Sequence, residues 1–254
     1  MSGQNDKVAW ITGAGTGIGE GAARALAADG VTVALSGRRE EVLRGVADSI
    51  EADGGKAVVH PLDVADADAV NAVVESIKSE FGRLDILVHS AGLNTGKRSW
   101  ETTDLESWNK VIRVNLDGTF HCCSAVLPIM REQQDGLIVT ISSWAGRHTS
   151  LVAGMPYSAS KSAVNSLTET INMEECVNGI RACAICPGEV ATPILDLRPQ
   201  PPSAEDRAKM LQGEDLGEIV AFLARLHPRV CINDLLVSPT WNRGYVGTVQ
   251  RMKS

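Results

Sequence analysis

The sequence lacks the features that mark several large classes of protein. No apolar run reaches the roughly 18 residues of a membrane-spanning helix. The residues before Val8 are polar and contain no apolar segment typical of a secretory signal, so we expect a cytoplasmic protein. The net charge is −7, and without a basic block it argues against a nucleic-acid partner. No linker or low-complexity segment divides the 254 residues, so we predict a single domain over residues 1–254.

Cysteine is present, with six residues, and one pair has a spacing that is typical of metal or redox sites. Cys183 and Cys186 form this C-x-x-C pair. The pair lies inside an apolar stretch, residues 180–186, that is typical of a buried strand, and no second ligand pair accompanies it. Core packing is therefore the favoured interpretation. We predict no metal site and reduced thiols.

Apolar strands alternate with amphipathic helices along the chain. The predicted strands cover residues 8–11, 31–35, 57–60, 84–88, 137–141, 180–186 and 232–237. The first predicted helix follows the glycine-rich turn and extends to about Asp29. The others cover residues 39–53, 65–81, 104–132, 157–178 and 214–226. Strands that are apolar throughout are typical of a parallel sheet covered on both faces. The pattern predicts an α/β fold, a Rossmann-type doubly wound parallel sheet of about seven strands with helices on both faces.

One interval departs from this rhythm. Residues 187–213 are polar, carry several prolines and show no clear periodicity. A connection of this length is too long for a plain loop. We predict that it forms a substrate loop or lid.

The first strand leads directly into a glycine-rich turn, Thr12-Gly-Ala-Gly-Thr-Gly-Ile-Gly19, and then into a helix. Glycines let a backbone approach a pyrophosphate closely, and a helix N-terminus offers free N–H groups to it. Glycine turns are common, but the order strand, turn, helix, strand is the context that a dinucleotide site requires. The sequence therefore predicts a bound dinucleotide.

The second strand ends in Gly37-Arg38-Arg39, without the acidic residue that binds the ribose of NAD. Two guanidinium groups suit the 2′-phosphate of NADP, so NADP is favoured and NAD is less likely. A solvated basic helix start is the alternative. Asp63-Val64, after the third strand, could contact the adenine, or Asp63 could cap the helix at 65–81; both interpretations stay open.

Ser142-Ser143 follows the fifth strand, and Tyr157-x-x-x-Lys161 follows a short loop. In a helix, residues four apart share one face. An ammonium within about 4–6 Å lowers the phenol pKa from about 10, which makes the phenol a usable acid or base. A serine hydroxyl at a strand end can bind a substrate oxygen. Because this spacing alone is common on helix surfaces, its weight comes from the rest of the chain.

Taken together, these motifs resemble those of the short-chain dehydrogenases/reductases of about 250 residues. The motifs are the glycine-rich turn, Asp63, His89-Ser-Ala-Gly92, Asn115, Ser143, Tyr157-x-x-x-Lys161 and Pro187-Gly188 with Thr192, and the match extends from about residue 6 to residue 240. The tail, residues 225–240, is similar to that of NADP-dependent 3-hydroxy acid dehydrogenases.

The resemblance implies a role for each matching residue. Tyr157 would be the acid/base, and Lys161 would lower its pKa and hold the nicotinamide ribose. Ser143 would bind the substrate oxygen together with Tyr157, and Asn115 would hold a water of a proton relay. The implied cofactor-binding residues are Gly13, Thr16, Gly17, Ile18, Gly19, Arg38, Arg39, Asp63, Val64, Ser90, Gly92, Tyr157, Lys161, Pro187, Gly188, Val190 and Thr192.

The resemblance also implies an activity and an assembly. We expect an NADP-dependent carbonyl reductase that interconverts a secondary alcohol and a ketone, either a small carbonyl compound or a 3-hydroxy acid. The alternative is an NADP(H)-binding regulatory or scaffold protein without turnover. Family members usually form homodimers or homotetramers through the helices that correspond to 104–132 and 157–178.

Two segments depart from the family's pattern. His89-Ser90 replaces the usual Asn-Asn, so Ser90 is expected to contact the cofactor ribose less well. We expect His89, which directly follows an apolar strand, to be structural rather than catalytic. The loop before Tyr157 is slightly long, and its Arg147 and His148 are either solvated or placed to meet an acidic substrate group.

Overall fold

Seven parallel strands form one sheet in the part of the chain that the computed structural model describes, residues 6–198 and 200–253. The strands are β1 (Val8–Thr12), β2 (Thr32–Gly37), β3 (Lys56–Pro61), β4 (Ile86–His89), β5 (Gly136–Ile141), β6 (Ile180–Pro187) and β7 (Asp234–Val237). Their order is β3-β2-β1-β4-β5-β6-β7. The chain crosses from one half of the sheet to the other between β3 and β4, which confirms the predicted doubly wound α/β fold. Residues 1–5 of the predicted polar start, Pro199 of the predicted loop and Ser254 lie outside the described residues.

The helices occupy the connections between strands, as the pattern predicts. They are α1 (Gly17–Ala28), α2 (Glu40–Ala52), α3 (Ala67–Phe81), α4 (Leu105–Ile112), α5 (Gly118–Gln133), α6 (Met155–Glu175), α7 (Ala204–Ala208), α8 (Gly213–Arg225) and α9 (Arg243–Lys253). A π-helical segment (Arg113–Asp117) joins α4 to α5, and short 3₁₀ turns cover Trp144–Gly146, Cys176–Asn178 and Pro193–Leu197.

The sheet separates two apolar cores. On one face Leu26 of α1, Leu43 of α2 and Val220 of α8 pack against the strands. On the other face the core includes Val74 of α3 and Val126 of α5. Every residue of β1, β5 and β6 is buried, because these central strands are covered on both sides.

Several element boundaries differ from the predictions. The helix predicted over 104–132 contains the π-helical segment, and Asp104 caps α4 instead of lying inside it. The predicted loop 187–213 contains a 3₁₀ turn and α7. Helix α6 begins two residues before Tyr157, β7 begins at Asp234, and α9 was not predicted.

Two expectations from composition concern membranes and thiols. Over the described ranges, no helix combines the length and the apolar character needed to cross a bilayer. All six cysteines are free thiols. Cys183 and Cys186 lie fully buried in β6, in agreement with core packing, and the described residues contain no cluster of three or more metal-ligating side chains.

Candidate active site

A cleft of about 500 Å³ opens at the carboxyl ends of the central strands. This edge, where the strand order reverses, is where open parallel sheets bind ligands. The predicted site residues that line the cleft are Gly13, Thr16, Ile18, Arg38, Arg39, Asp63, Val64, Ser90, Gly92, Ser143, Tyr157, Lys161, Pro187, Gly188, Val190 and Thr192. Gly17, Gly19 and Asn115 are not part of this lining. The sequence prediction thus converges on one cavity.

The turn between β1 and α1 is built so that only glycine fits at key positions. Gly13 has a φ of +66°, and a Cβ there would lie 2.8 Å from the amide nitrogen of Ala91. A Cβ on Gly19 would lie 2.2 Å from the carbonyl oxygen of Gly13. Thr16, the N-cap of α1, makes no side-chain capping bond. The N–H groups of the first turn therefore keep their capacity to bind an anion, so the cradle fits a pyrophosphate.

The end of the cleft beside β2 carries a positive charge. Arg38 and Arg39 are both exposed there, and neither pairs with a carboxylate among the residues whose positions are described. Glu40, the nearest acid in the chain, is engaged by Arg44. The two guanidinium groups are thus available to a phosphate.

Asp63 lines the cleft where β3 ends, and its Oδ1 accepts a hydrogen bond of 3.0 Å from the Ala65 amide. The prediction that Asp63 caps the helix is wrong. The cap of α3 is Asp66, whose carboxylate accepts from the amides of Asp68 and Ala69, because the helix begins two residues later than expected.

Ser143, Tyr157 and Lys161 meet at the centre of the cleft. Ser143 lies two residues after the end of β5, and Tyr157 and Lys161 project from successive turns of α6. The hydroxyl of Ser142 donates to the Lys161 carbonyl at 3.0 Å, so the second serine of the pair is the one beside the phenol. Lys161 is 4% exposed, and its Nζ donates to the Ile141 carbonyl at 2.7 Å.

The electrostatics of Tyr157 differ from the sequence prediction. Burial raises the pKa of its phenol, and the groups that oppose this rise are the Ser143 hydroxyl and the charges of Arg198 and Arg98. Lys161 Nζ lies 5.8 Å from the ring centroid and bonds to a backbone carbonyl instead of the phenol. Burial also lowers the pKa of Lys161 to about 8, because leaving water disfavours the ammonium.

Asn115 lies in the π-helical segment and is fully buried. Its side chain bonds both backbone groups of Leu93, at 2.8 and 2.9 Å, and donates to Ser160 Oγ at 3.1 Å. A Cβ on Gly92 would lie 3.5 Å from both Asn115 Oδ1 and Lys161 Nζ. The local widening of the helix thus places the amide between the β4 loop and α6, close to the Lys161 ammonium.

Sequence reasoning missed a group of arginines that lines the far wall of the cleft. Arg98 follows the β4 loop, and Arg198 follows the 3₁₀ turn after β6. Glu189, also in the lining, pairs with Arg198 and with Arg243 of α9. These residues obey no spacing rule, since they come from two loops and a helix that only the fold brings together.

The two departures from the family pattern have structural roles. His89 is 1% exposed, its Nδ1 lies 3.0 Å from Thr12 Oγ1, and its burial together with the Lys161 charge lowers its pKa to about 3. It is therefore a neutral core residue. Arg147 and His148 are exposed and lie outside the cleft lining, in agreement with the solvated interpretation, and Arg147 also pairs with Asp234 at 2.7 Å.

Comparison with known proteins identifies the family of this chain. The family model for short chain dehydrogenases matches residues 7–201. The chain therefore belongs to the short-chain dehydrogenase family. Among the curated relatives of this short-chain dehydrogenase is an uncharacterised oxidoreductase of Staphylococcus saprophyticus. It is 38% identical over 236 residues, which covers 92% of this chain and 97% of the relative.

Solved structures of short-chain dehydrogenases share the whole architecture. An alcohol dehydrogenase from the archaeon Thermococcus sibiricus, complexed with 5-hydroxy-NADP, is 30% identical, with a TM-score of 0.83 over 93% of this chain and 98% of that one. A metagenomic short-chain oxidoreductase in complex with NADP is 31% identical, with a TM-score of 0.82 over 95% and 100% of the two chains. The protein is thus an oxidoreductase of this family.

Proposed function

We propose that this dehydrogenase uses NADP to interconvert a small secondary alcohol and its ketone. The observation that carries the proposal is the convergence of Ser143, Tyr157 and Lys161 on the same cleft as the glycine-rich turn. A lone Tyr-x-x-x-Lys pair would carry little weight. Its position beside a cradle that fits a dinucleotide gives it a chemical context.

The choice of cofactor rests on the end of the cleft beside β2. Arg38 and Arg39 are exposed there without a carboxylate partner in the described ranges, which suits a 2′-phosphate. The Thermococcus sibiricus and metagenomic neighbours were solved with 5-hydroxy-NADP and NADP. Both observations support NADP over NAD. When bound, the nicotinamide would supply or accept the hydride.

The residues of the chain then handle the proton and the substrate oxygen. The Tyr157 phenol lines the cleft beside the Ser143 hydroxyl, so it is placed to donate its proton to a ketone oxygen. The Ser143 hydroxyl would donate a second hydrogen bond to that oxygen as charge develops on it. The Lys161 ammonium, fixed by the Ile141 carbonyl, would hold the nicotinamide ribose.

The proposal also covers the substrate class, the cellular location and the assembly of the protein. The substrate is a small carbonyl compound, with 3-hydroxy acids as a candidate class. Free thiols agree with a cytoplasmic location, where cysteines stay reduced. Phe120 of α5 and Met173 of α6 are 57% and 73% exposed, which supports a homodimer or homotetramer that buries these helices.

The test is a substrate screen read by NADPH absorbance in both directions, with NADPH and NADH affinities measured in parallel. Oxidation of NADPH by at least one ketone is the expected result. Tight NADPH binding without turnover of any carbonyl compound would contradict the proposed activity and favour a regulatory protein.

A further inference from the structure

Arg98 is a nearly buried arginine that organises the substrate end of the cleft. It is 9% exposed and belongs to the cleft lining. Its guanidinium donates to the carbonyl of Thr95 at 2.7 Å, of Val152 at 2.8 Å and of Leu197 at 3.1 Å. One side chain therefore ties together the loops after β4, before α6 and after β6.

The charge of Arg98 has no counterion in the chain as described. None of the ion pairs among these residues includes Arg98, and the charge of Arg198 is repulsive to it. A guanidinium stays charged in proteins, and burying a charge without a partner is unfavourable. Three of its five N–H groups bond to carbonyls, so two remain for a ligand.

The neighbouring ion-pair network does not supply the missing negative charge. Arg198 Nη1 lies 2.6 Å from Glu189 Oε1, but Glu189 also receives Arg243, at 2.6 Å and 2.8 Å. Asp206 pairs with Arg243 at 3.2 Å. Together with Arg98, this makes three guanidinium groups against two carboxylates, so one positive charge remains uncompensated at this wall.

The uncompensated charge lies close to the reacting group. Both Arg98 and Arg198 act on the Tyr157 phenol, and their charges oppose the rise of its pKa. Both arginines line the cavity that contains the phenol. A ligand anion placed between these arginines would neutralise the wall while its remaining atoms reach Tyr157.

We propose that Arg98, assisted by Arg198, forms a subsite for the carboxylate of the substrate, so that the enzyme prefers organic oxo acids to neutral ketones. This proposal rests on the proposed function, since it assigns the substrate class of the same cleft. A carboxylate suits the subsite because guanidinium–carboxylate hydrogen bonds are charge-assisted and stronger than neutral ones.

The first test compares short 2-oxo and 3-oxo acids with their methyl esters in NADPH-dependent reduction. Because hydrogen bonds to charged groups are strong, we expect the kcat/KM of the wild type to be about 10- to 100-fold higher for the acid than for its ester. Equal values for acid and ester, or a preference for the ester, would overturn the subsite and leave the proposed function intact.

Variants separate binding from a purely structural role of Arg98. Arg98→Gln should raise KM for the acid more than KM for the ester, and Arg98→Lys should restore part of the preference. Arg198→Gln, which leaves the three carbonyl bonds of Arg98 in place, should also weaken binding of the acid more than binding of the ester. Arg147→Gln, which breaks an ion pair outside the cleft, is the matched control and should leave the ratio unchanged. An equal loss of kcat/KM for acid and ester, in both Arg98→Gln and Arg198→Gln, would refute the subsite.

A binding measurement decides the matter without turnover. Titration calorimetry of malonate into the protein mixed with NADPH should give weaker binding by about 10-fold or more in Arg198→Gln than in the wild type. Equal malonate affinity in the two proteins, or none in either, would overturn the subsite. Failure to bind NADPH is a separate outcome that refutes the proposed function.

Discussion

Replacing His89 with asparagine should make the stability of the protein much less sensitive to mild acid. His89 is fully buried at the end of β4, and its Nε2 has no hydrogen-bond partner within the described residues. Burial and the nearby Lys161 charge lower its folded-state pKa to about 3, against 6.5 for a free histidine. Between these two values the unfolded chain takes up a proton that the folded chain does not. Acidification therefore favours unfolding.

The size of the effect follows from the two pKa values. Each pH unit within the window corresponds to about 1.4 kcal/mol, so His89 lowers the unfolding free energy by about 2 kcal/mol at pH 5. The full loss approaches about 5 kcal/mol near pH 3. The stability contribution of the neutral histidine is complete above pH 6.5 and declines as the pH falls towards 3.

Urea unfolding at several pH values between 4 and 8 measures how steeply the unfolding free energy changes with pH in wild type and in His89→Asn. The two slopes should differ by at most about 1.4 kcal/mol per pH unit. Carboxylates that titrate in the same window affect both proteins equally, so the difference isolates His89. His148→Asn, on an exposed loop, serves as the control and should retain the wild-type slope. Identical slopes for wild type and His89→Asn would refute the reasoning.

Two further predictions concern the cofactor end of the cleft. Arg38→Glu should weaken NADPH binding by about 10- to 100-fold and leave NADH binding unchanged or improved, because only NADPH carries the phosphate; fluorescence titration with both nucleotides measures this, and a parallel loss of both would contradict it. Gly19→Ala should abolish NADPH binding and lower the melting temperature, since its Cβ would lie 2.2 Å from the Gly13 carbonyl oxygen. Gly45→Ala, where a Cβ meets nothing within 4 Å, is the matched control and should stabilise α2 by about 1 kcal/mol; equal behaviour of the two variants would count against the cradle.

The regular part of the fold was predictable because short-range patterns encode it. Apolar strands without alternation predicted a sheet covered on both faces, and glycine predicted most helix ends. The glycine-rich turn and Tyr157-x-x-x-Lys161 are likewise local patterns, and together with the family resemblance they predicted residues that line one cavity.

The remainder depends on contacts between distant segments. The π-helical segment contains Asn115, whose bonds to Leu93 and Ser160 join distant parts of the chain that no local pattern connects. Helix α9 begins at Arg243, which pairs with Glu189 and Asp206 far away in the sequence.

The pKa of Tyr157 shows the same limit. It reflects burial and two arginines from separate loops, so the four-residue spacing to Lys161 predicted a direction that the environment reverses.

The most direct test of the account compares wild type and Tyr157→Phe in NADPH oxidation with a ketone that the wild type reduces, with NADPH affinity measured on both proteins. Loss of one phenol oxygen should lower kcat by at least about 100-fold, as expected for removal of a general acid, while NADPH affinity stays nearly constant. Equal turnover by the two proteins would contradict the central claim that the Tyr157 phenol donates the proton.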